Sequence, residues 1–222
     1  MAIRVLDLRD TYDIGGPGKT ILETFRFIDA ERFDLHLGVF LVDGEPVETP
    51  FLAEARRYGM PVHLIRGSSR YDPRLVTRTA ALSRRLAVDI LHAHEVKSDV
   101  VALAASRLRS TALVTTMHGW IANSPRQKAL VRLDRTVARY YDRVIAVSSK
   151  IRHELIGAGV DPDRVRLIHN GIVPERYRKT GAKGFVREVT GGQPDGPWKS
   201  LVAFNKNTGP GSMEGRKPAD QL

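Results

Sequence analysis

The sequence contains no cysteine. That absence excludes disulfides, thiolate metal sites and cysteine nucleophiles, and it suits a reducing compartment. Long apolar runs are missing too: no stretch approaches the ~18 residues a membrane-crossing helix needs. The first residues read directly as a strand, IRVLDL, without an apolar leader pattern, so a cytoplasmic location is expected. Acidic residues are in deficit, with 25 Asp and Glu against 35 Lys and Arg, a net charge of +10. Such an excess favours anionic partners: nucleotides, lipid headgroups or nucleic acid. Aromatic residues are few, and arginines such as Arg56, Arg57, Arg84 and Arg85 fall in helical segments without interleaved aromatics. Stacking of single-stranded nucleic acid is therefore not expected, and no helix-turn-helix, RRM or KH wording is present. The arginines read first as solvated helix faces. The next reading is attraction to an anionic membrane surface, which would place the protein peripherally at the inner membrane face.

What the chain does have is a regular alternation of strand and helix patterns. Apolar runs at 3–8, 35–42, 61–65, 89–92, 112–116, 144–147 and 165–168 have the length and composition of buried strands. Between them lie segments with helical spacing at 19–30, 48–58, 73–87, 98–108, 125–140 and 148–157. Ile21, Leu22, Phe25 and Ile28 mark one apolar stripe. Ser124-Pro125 and Ser148-Ser149 supply caps, and Gly157, Gly159 and Asp161-Pro162-Asp163 end the last helix and turn the chain. Seven strands alternating with six helices predict an α/β fold, a Rossmann-like doubly wound parallel sheet with helices on both faces.

Composition changes near Lys179. Residues 181–222 carry 8 Gly and 4 Pro in 42 positions, with no apolar periodicity beyond Leu201-Val202-Ala203-Phe204. Such a segment assembles no packed core. The expected organisation is one Rossmann-like domain over 1–178 and an irregular, disordered tail over 179–222.

In an open parallel sheet, ligands sit beyond the carboxyl ends of the strands. Three features fall at such ends. Gly15-Gly16-Pro17-Gly18 follows the first strand. It is not G-x-G-x-x-G, but adjacent glycines let backbone N–H groups approach a diphosphate, and a helix N-terminus follows; a plain Gly-rich turn is the competing reading. His92-Ala93-His94-Glu95 closes the fourth strand. The two histidines share a face at strand spacing, yet the sequence places no third ligand, so no metal and no cofactor is expected. Thr116-Met117-His118-Gly119 closes the fifth, with Gly119 permitting a sharp exit that leaves His118 at the strand tip.

These motifs together resemble the N-terminal half of retaining GT-B glycosyltransferases of the family 4 type. Asp89 to His94 is similar to that family's D-[IV]-[LV]-H-x-H wording, Thr116 to Gly119 to its T-x-H-G segment, and Ile168 to Ile172 to its closing I-H-N-G-I. The resemblance implies that Gly15 and Gly16 shape the acceptor cleft and contact the donor's phosphate or sugar. It implies that His94 opens onto the cleft, that His118 meets the donor sugar near the reacting carbon, and that Ser148, Asn170 and Gly171 face the gap between domains. The partners implied are a nucleoside-diphosphate sugar and a hydroxyl acceptor. Two departures stand out. Val173 occupies the place where the family usually has Asp after N-G-I, and residues 181–222 hold no two acids eight apart, the family's E-x7-E spacing. The resemblance covers about residues 1–178, so the donor-binding domain is expected to be missing. Three readings follow: the acceptor domain of a transferase, incomplete or inactive alone; a non-catalytic module that holds an acceptor or pairs with a separate donor-domain chain; and a fragment of a GT-B sugar-nucleotide epimerase.

Overall fold

The computed structural model describes residues 2–10, 14–120 and 122–171. The expected tail at 179–222, and the last residues of the expected domain, lie outside the described residues.

The alternation read from the sequence is the alternation of the fold. Strands β1 (Ile3–Arg9), β2 (Phe33–Val42), β3 (Val62–Gly67), β4 (Ile90–Ala93), β5 (Ala112–Met117), β6 (Arg143–Ala146) and β7 (Val165–Leu167) form one sheet. Helices α1 (Gly15–Phe27), α2 (Pro50–Arg57), α3 (Arg74–Arg85), α4 (Val96–Leu108), α5 (Pro125–Ala138) and α6 (Ser149–Gly157) connect them in turn. The sheet order is β3-β2-β1-β4-β5-β6-β7, and each adjacent pair is parallel. Strand order therefore reverses between β1 and β4, where Asp7 lies directly across from His92. That reversal is the switch point at which open α/β sheets bind ligands.

The period-2 pleat of each strand divides the core in two. Val5, Leu37 and Val39 pack with Phe51 and Leu52 of α2 and Ile21 and Leu22 of α1. Leu6, Leu8, Leu91 and Ala93 pack on the opposite side with residues of α3, α4, α5 and α6. Burial on both faces explains why the strands read as continuous apolar runs rather than alternating ones. It also explains why a polar residue inside such a run, Asp7, is conspicuous.

One local expectation is corrected. Gly15-Gly16-Pro17-Gly18 was expected as a loop preceding a helix at 19, but the helix begins at Gly15. Pro17 sits in the first turn, where its missing N–H costs no hydrogen bond and its fixed φ suits the helix. Gly15 adopts φ +42°, a left-handed value that glycine accepts readily.

Candidate functional site

The carboxyl edge at the switch point carries a connected set of polar side chains. Asp7 Oδ1 is 2.8 Å from His92 Nδ1 and 3.1 Å from His94 Nε2. The second nitrogen of each ring is also engaged: His92 Nε2 lies 2.8 Å from Thr116 Oγ1, and His94 Nδ1 lies 3.3 Å from His118 Nε2. The His92 and His94 rings are 4.3 Å apart by centroid. Three neighbouring strands thus contribute one network, with Asp7 at its centre.

Strand geometry produces this arrangement. His92 points to the face shared with Asp7, and His94 follows just beyond the strand end. There Ser98 Oγ accepts its backbone N–H at 3.1 Å. Glu95 and Ser98 form a capping box that fixes the start of α4. His118 stands one residue past β5, and Gly119 leaves the strand with φ +105°, the sharp exit expected of it.

Electrostatics follow from burial. Burial pushes the Asp7 carboxyl up, but the His92 and His94 rings beside it outweigh that and hold it well below the usual carboxylate range. Burial, with His92 close by, lowers His94 to about 4 despite the Asp7 carboxylate. Burial and the neighbouring His94 and His92 lower His118 to about 3. At neutral pH the set is one carboxylate with neutral His94 and His118 rings.

A cavity of about 290 Å³ opens in front of Asp7, His92, His94 and Thr116, with Asn170 and Gly171 on its far wall. Of the residues expected in one cleft, His94 lines this cavity, whereas Gly15, Gly16 and His118 are not among its lining residues; of those expected to face the gap between domains, Asn170 and Gly171 line it and Ser148 does not. His118 joins through its contact with His94. Ser148 caps α6, its Oγ accepting the Ile151 N–H at 3.3 Å. Ser148→Ala is therefore expected to lower stability by about 1 kcal/mol through the lost cap. Urea titration checks the figure, and an unchanged midpoint would remove the cap assignment.

Sequence reasoning passed over Asp7, Arg9 and His169. The available signal was Asp7 inside, and Arg9 at the end of, a strand that is apolar elsewhere except at Arg4 near its start. Arg9 is 1% exposed. Its guanidinium lies over the Phe51 ring at 4.3 Å, and its Nε is 3.7 Å from Glu95 Oε1.

The loop after His118 has an anchor of its own. Trp120 Nε1–H donates to Asp134 Oδ2 at 2.7 Å, and Arg135 covers the indole at 4.5 Å. Burial raises the Asp134 carboxyl. Burial and the neighbouring Asp134 raise Asp99, in the first turn of α4, well above its ordinary value.

Comparison with known proteins agrees with this architecture. Over 124 residues the chain is 32% identical to the GDP-mannose:cellobiosyl-diphosphopolyprenol alpha-mannosyltransferase of Xanthomonas campestris, covering 53% of this chain and 31% of that one. It is 23% identical over 181 residues to the UDP-Gal:alpha-D-GlcNAc-diphosphoundecaprenol alpha-1,3-galactosyltransferase of Escherichia coli, covering 79% of this chain and 46% of that one. The chain thus spans less than half the length of either relative. Among solved structures, Anabaena HepE with UDP and glucose superposes with a TM-score of 0.65 at 21% identity, over 85% of this chain and 50% of that one. The UDP-GlcNAc 2-epimerase of Neisseria meningitidis superposes with a TM-score of 0.58 at 10% identity, over 84% and 54% respectively; both likenesses speak for the fold alone. The sequence also matches the model of Glycosyltransferase Family 4 from residue 14 to residue 176. That span begins in the loop before α1 and runs past β7, so the match takes in both histidine-bearing strand ends, and by it the chain belongs to Glycosyltransferase Family 4.

Proposed function

We propose that this domain is the acceptor side of a sugar-nucleotide-dependent, retaining glycosyltransferase. The observation that carries the reading is the Asp7–His92–His94–His118 network beside a cavity at the strand-order reversal, within a family 4 domain. In this reading His118 meets the donor sugar near its reacting carbon, and His94, Asn170 and Gly171 line the wall against which the hydroxyl acceptor lies. Gly15 and Gly16 keep the first turn of α1 open to the donor's phosphates, and Ser148 serves the interdomain wall through the helix it caps. Both curated relatives are named for acceptors linked to a polyprenyl diphosphate, which supports a lipid-linked acceptor here. A hollow bordered by Arg66, Arg78 and Arg85 at the β3 edge supports contact with an anionic membrane surface. Among the described residues no helix is long and apolar enough to cross a membrane, in keeping with peripheral attachment on the cytoplasmic side.

Transfer from a nucleoside-diphosphate donor rests on positioning and on stabilising the leaving diphosphate. The matched relatives carry more than half of their length beyond what this chain covers. We therefore assign the diphosphate clamp to a second domain or a separate donor-domain chain. The test uses the purified chain, a panel of UDP- and GDP-sugars and a short-chain prenyl-diphosphate glycoside. The expected result is acceptor binding that weakens at least about tenfold in His94→Gln, with no enzyme-like transfer until a donor-binding domain is added. Absence of acceptor binding would overturn the acceptor-side assignment. Robust transfer by the chain alone would overturn the two-part assignment.

A further inference from the structure

We propose that Asp7, His92 and His94 form a binding site for one divalent transition-metal ion, with Zn²⁺ or Co²⁺ as the fitting class. The site goes beyond the transfer reading and does not rest on it. The sequence shows a histidine pair without a third ligand; the fold brings the third from a strand some 85 residues earlier, because Asp7 and His92 are register partners on adjacent parallel strands. One ligand atom from each of the three residues lies within 4.8 Å of the other two. Asp7 Oδ1 is already 2.8 and 3.1 Å from the two ring nitrogens. Ligands bound to zinc at ~2.0–2.1 Å sit roughly 3.3 Å apart around a tetrahedron, so a small opening of these side chains admits the ion.

The outer contacts fit the same assignment. A metal-bound imidazole donates its other N–H to an acceptor, which fixes tautomer and ring orientation. With His92 binding through Nδ1, its Nε2–H meets Thr116 Oγ1 at 2.8 Å. With His94 binding through Nε2, its Nδ1–H faces His118 Nε2 at 3.3 Å. The nearby guanidinium of Arg9 is paired with Glu95 and laid on Phe51, so its charge is partly offset. Two nitrogens and one oxygen favour Zn²⁺, Co²⁺ or Ni²⁺ over Mg²⁺ and Ca²⁺, which prefer all-oxygen shells. The remaining coordination positions face the cavity of about 290 Å³, where a water or a hydroxyl has room to bind. The chain has another histidine pair, His36 and His63, at 3.1 Å. There His36 turns one nitrogen to His63 and the other to Asp34, so a single ion cannot take all three.

The experiment is titration of the untagged, chelator-treated chain with ZnCl₂ against a chromophoric competitor. The visible spectrum with CoCl₂ and the melting temperature are the second and third readouts. The expected result is one equivalent bound with Kd at or below about 1 µM, d–d bands of low-symmetry four- or five-coordinate Co²⁺, and a zinc-dependent rise in melting temperature. His92→Gln or Asp7→Asn is expected to weaken binding at least about 100-fold, and Thr116→Val about 10-fold, while His36→Gln leaves it unchanged. The wild-type readouts keep the test decisive even if one variant folds poorly. Failure of Zn²⁺, Co²⁺ and Ni²⁺ to bind the wild-type chain at 100-fold above that Kd, or binding lost in His36→Gln and retained in His92→Gln, overturns the site.

Discussion

Arg9→Ala is expected to lower the melting temperature by roughly 10 °C or more, from a stability loss of about 3–5 kcal/mol. Arg9 is 1% exposed and closes the carboxyl end of β1 at the switch point. Its guanidinium is held by its surroundings. It lies 4.3 Å above the Phe51 ring, a cation–π contact strengthened by exclusion of water. Its Nε faces Glu95 Oε1 at 3.7 Å. It also lies against Gly18 of α1, where a Cβ would come within 2.6 Å of Nη1, so the glycine makes room for the charge. Glu95 depends on the same knot, because its Oε2 accepts the Asp10 N–H at 2.9 Å. Alanine would leave a void and take the Arg9 charge away from the half-buried Glu95. Arg9→Met keeps most of the volume and removes only the charge, so it is expected to lose about half as much, since a well-filled apolar replacement avoids the cavity cost. Thermal and urea unfolding of both variants measure this. A loss below about 1 kcal/mol for alanine would mean the guanidinium is solvated, and the knot would not be a stability element.

The fold was legible because its signals are local. The strand run at 144–147, the Ser148 cap and the Gly157 to Asp163 turn each fit within a few residues, and each appears as read. The fit at Gly15-Gly16 failed for an equally local reason. Two glycines look like a loop, but Pro17 at a first turn is as good a helix start as the lysine at 19. The site was legible only in halves. His94 and His118 stand at strand ends that sequence can mark, while Asp7 and Arg9 owe their roles to neighbours about 85 residues away, selected by the crossing of the chain from β1 past two other strands to β4. No periodicity encodes such a register. Buried charges are the readable trace: a carboxylate or guanidinium in an apolar run must find a partner, and here the partners are the His92–His94 pair and Glu95.

The same logic applied to Asp99 gives a second measurable outcome, this time a gain. Asp99→Asn is expected to stabilise the chain by about 2 kcal/mol at pH 8 and by little or nothing near pH 4. Asp99 lies in the first turn of α4 and is 1% exposed. Burial first, and the Asp134 carboxyl second, raise its proton affinity well above the ordinary value. Asp134 is raised as well, by burial, although Trp120 Nε1–H and Arg135 favour its charged form. The pair therefore holds a proton in the folded state that two separate, solvated carboxylates would release near pH 4. The sign follows directly. A carboxyl whose folded affinity is raised binds more protons folded than unfolded, so its contribution is most favourable below the unfolded pKa and is lost as pH rises toward the folded value. Tyr141 adds to this environment: its hydroxyl donates to the Asp99 backbone carbonyl at 2.8 Å, and burial with the nearby Asp99 pushes its own ionisation well above the usual range. Asparagine cannot ionise and offers an N–H to Asp134, so it keeps the acid-form contact and removes the penalty at high pH. Urea unfolding of both proteins at pH 4 and pH 8 isolates the Asp99–Asp134 pair, because titrations away from it cancel in the difference. A difference that stays constant between the two pH values would show that Asp99 does not titrate in this window, and the anchor beneath the His118 loop would then be held by Trp120 and Asp134 without a shared proton.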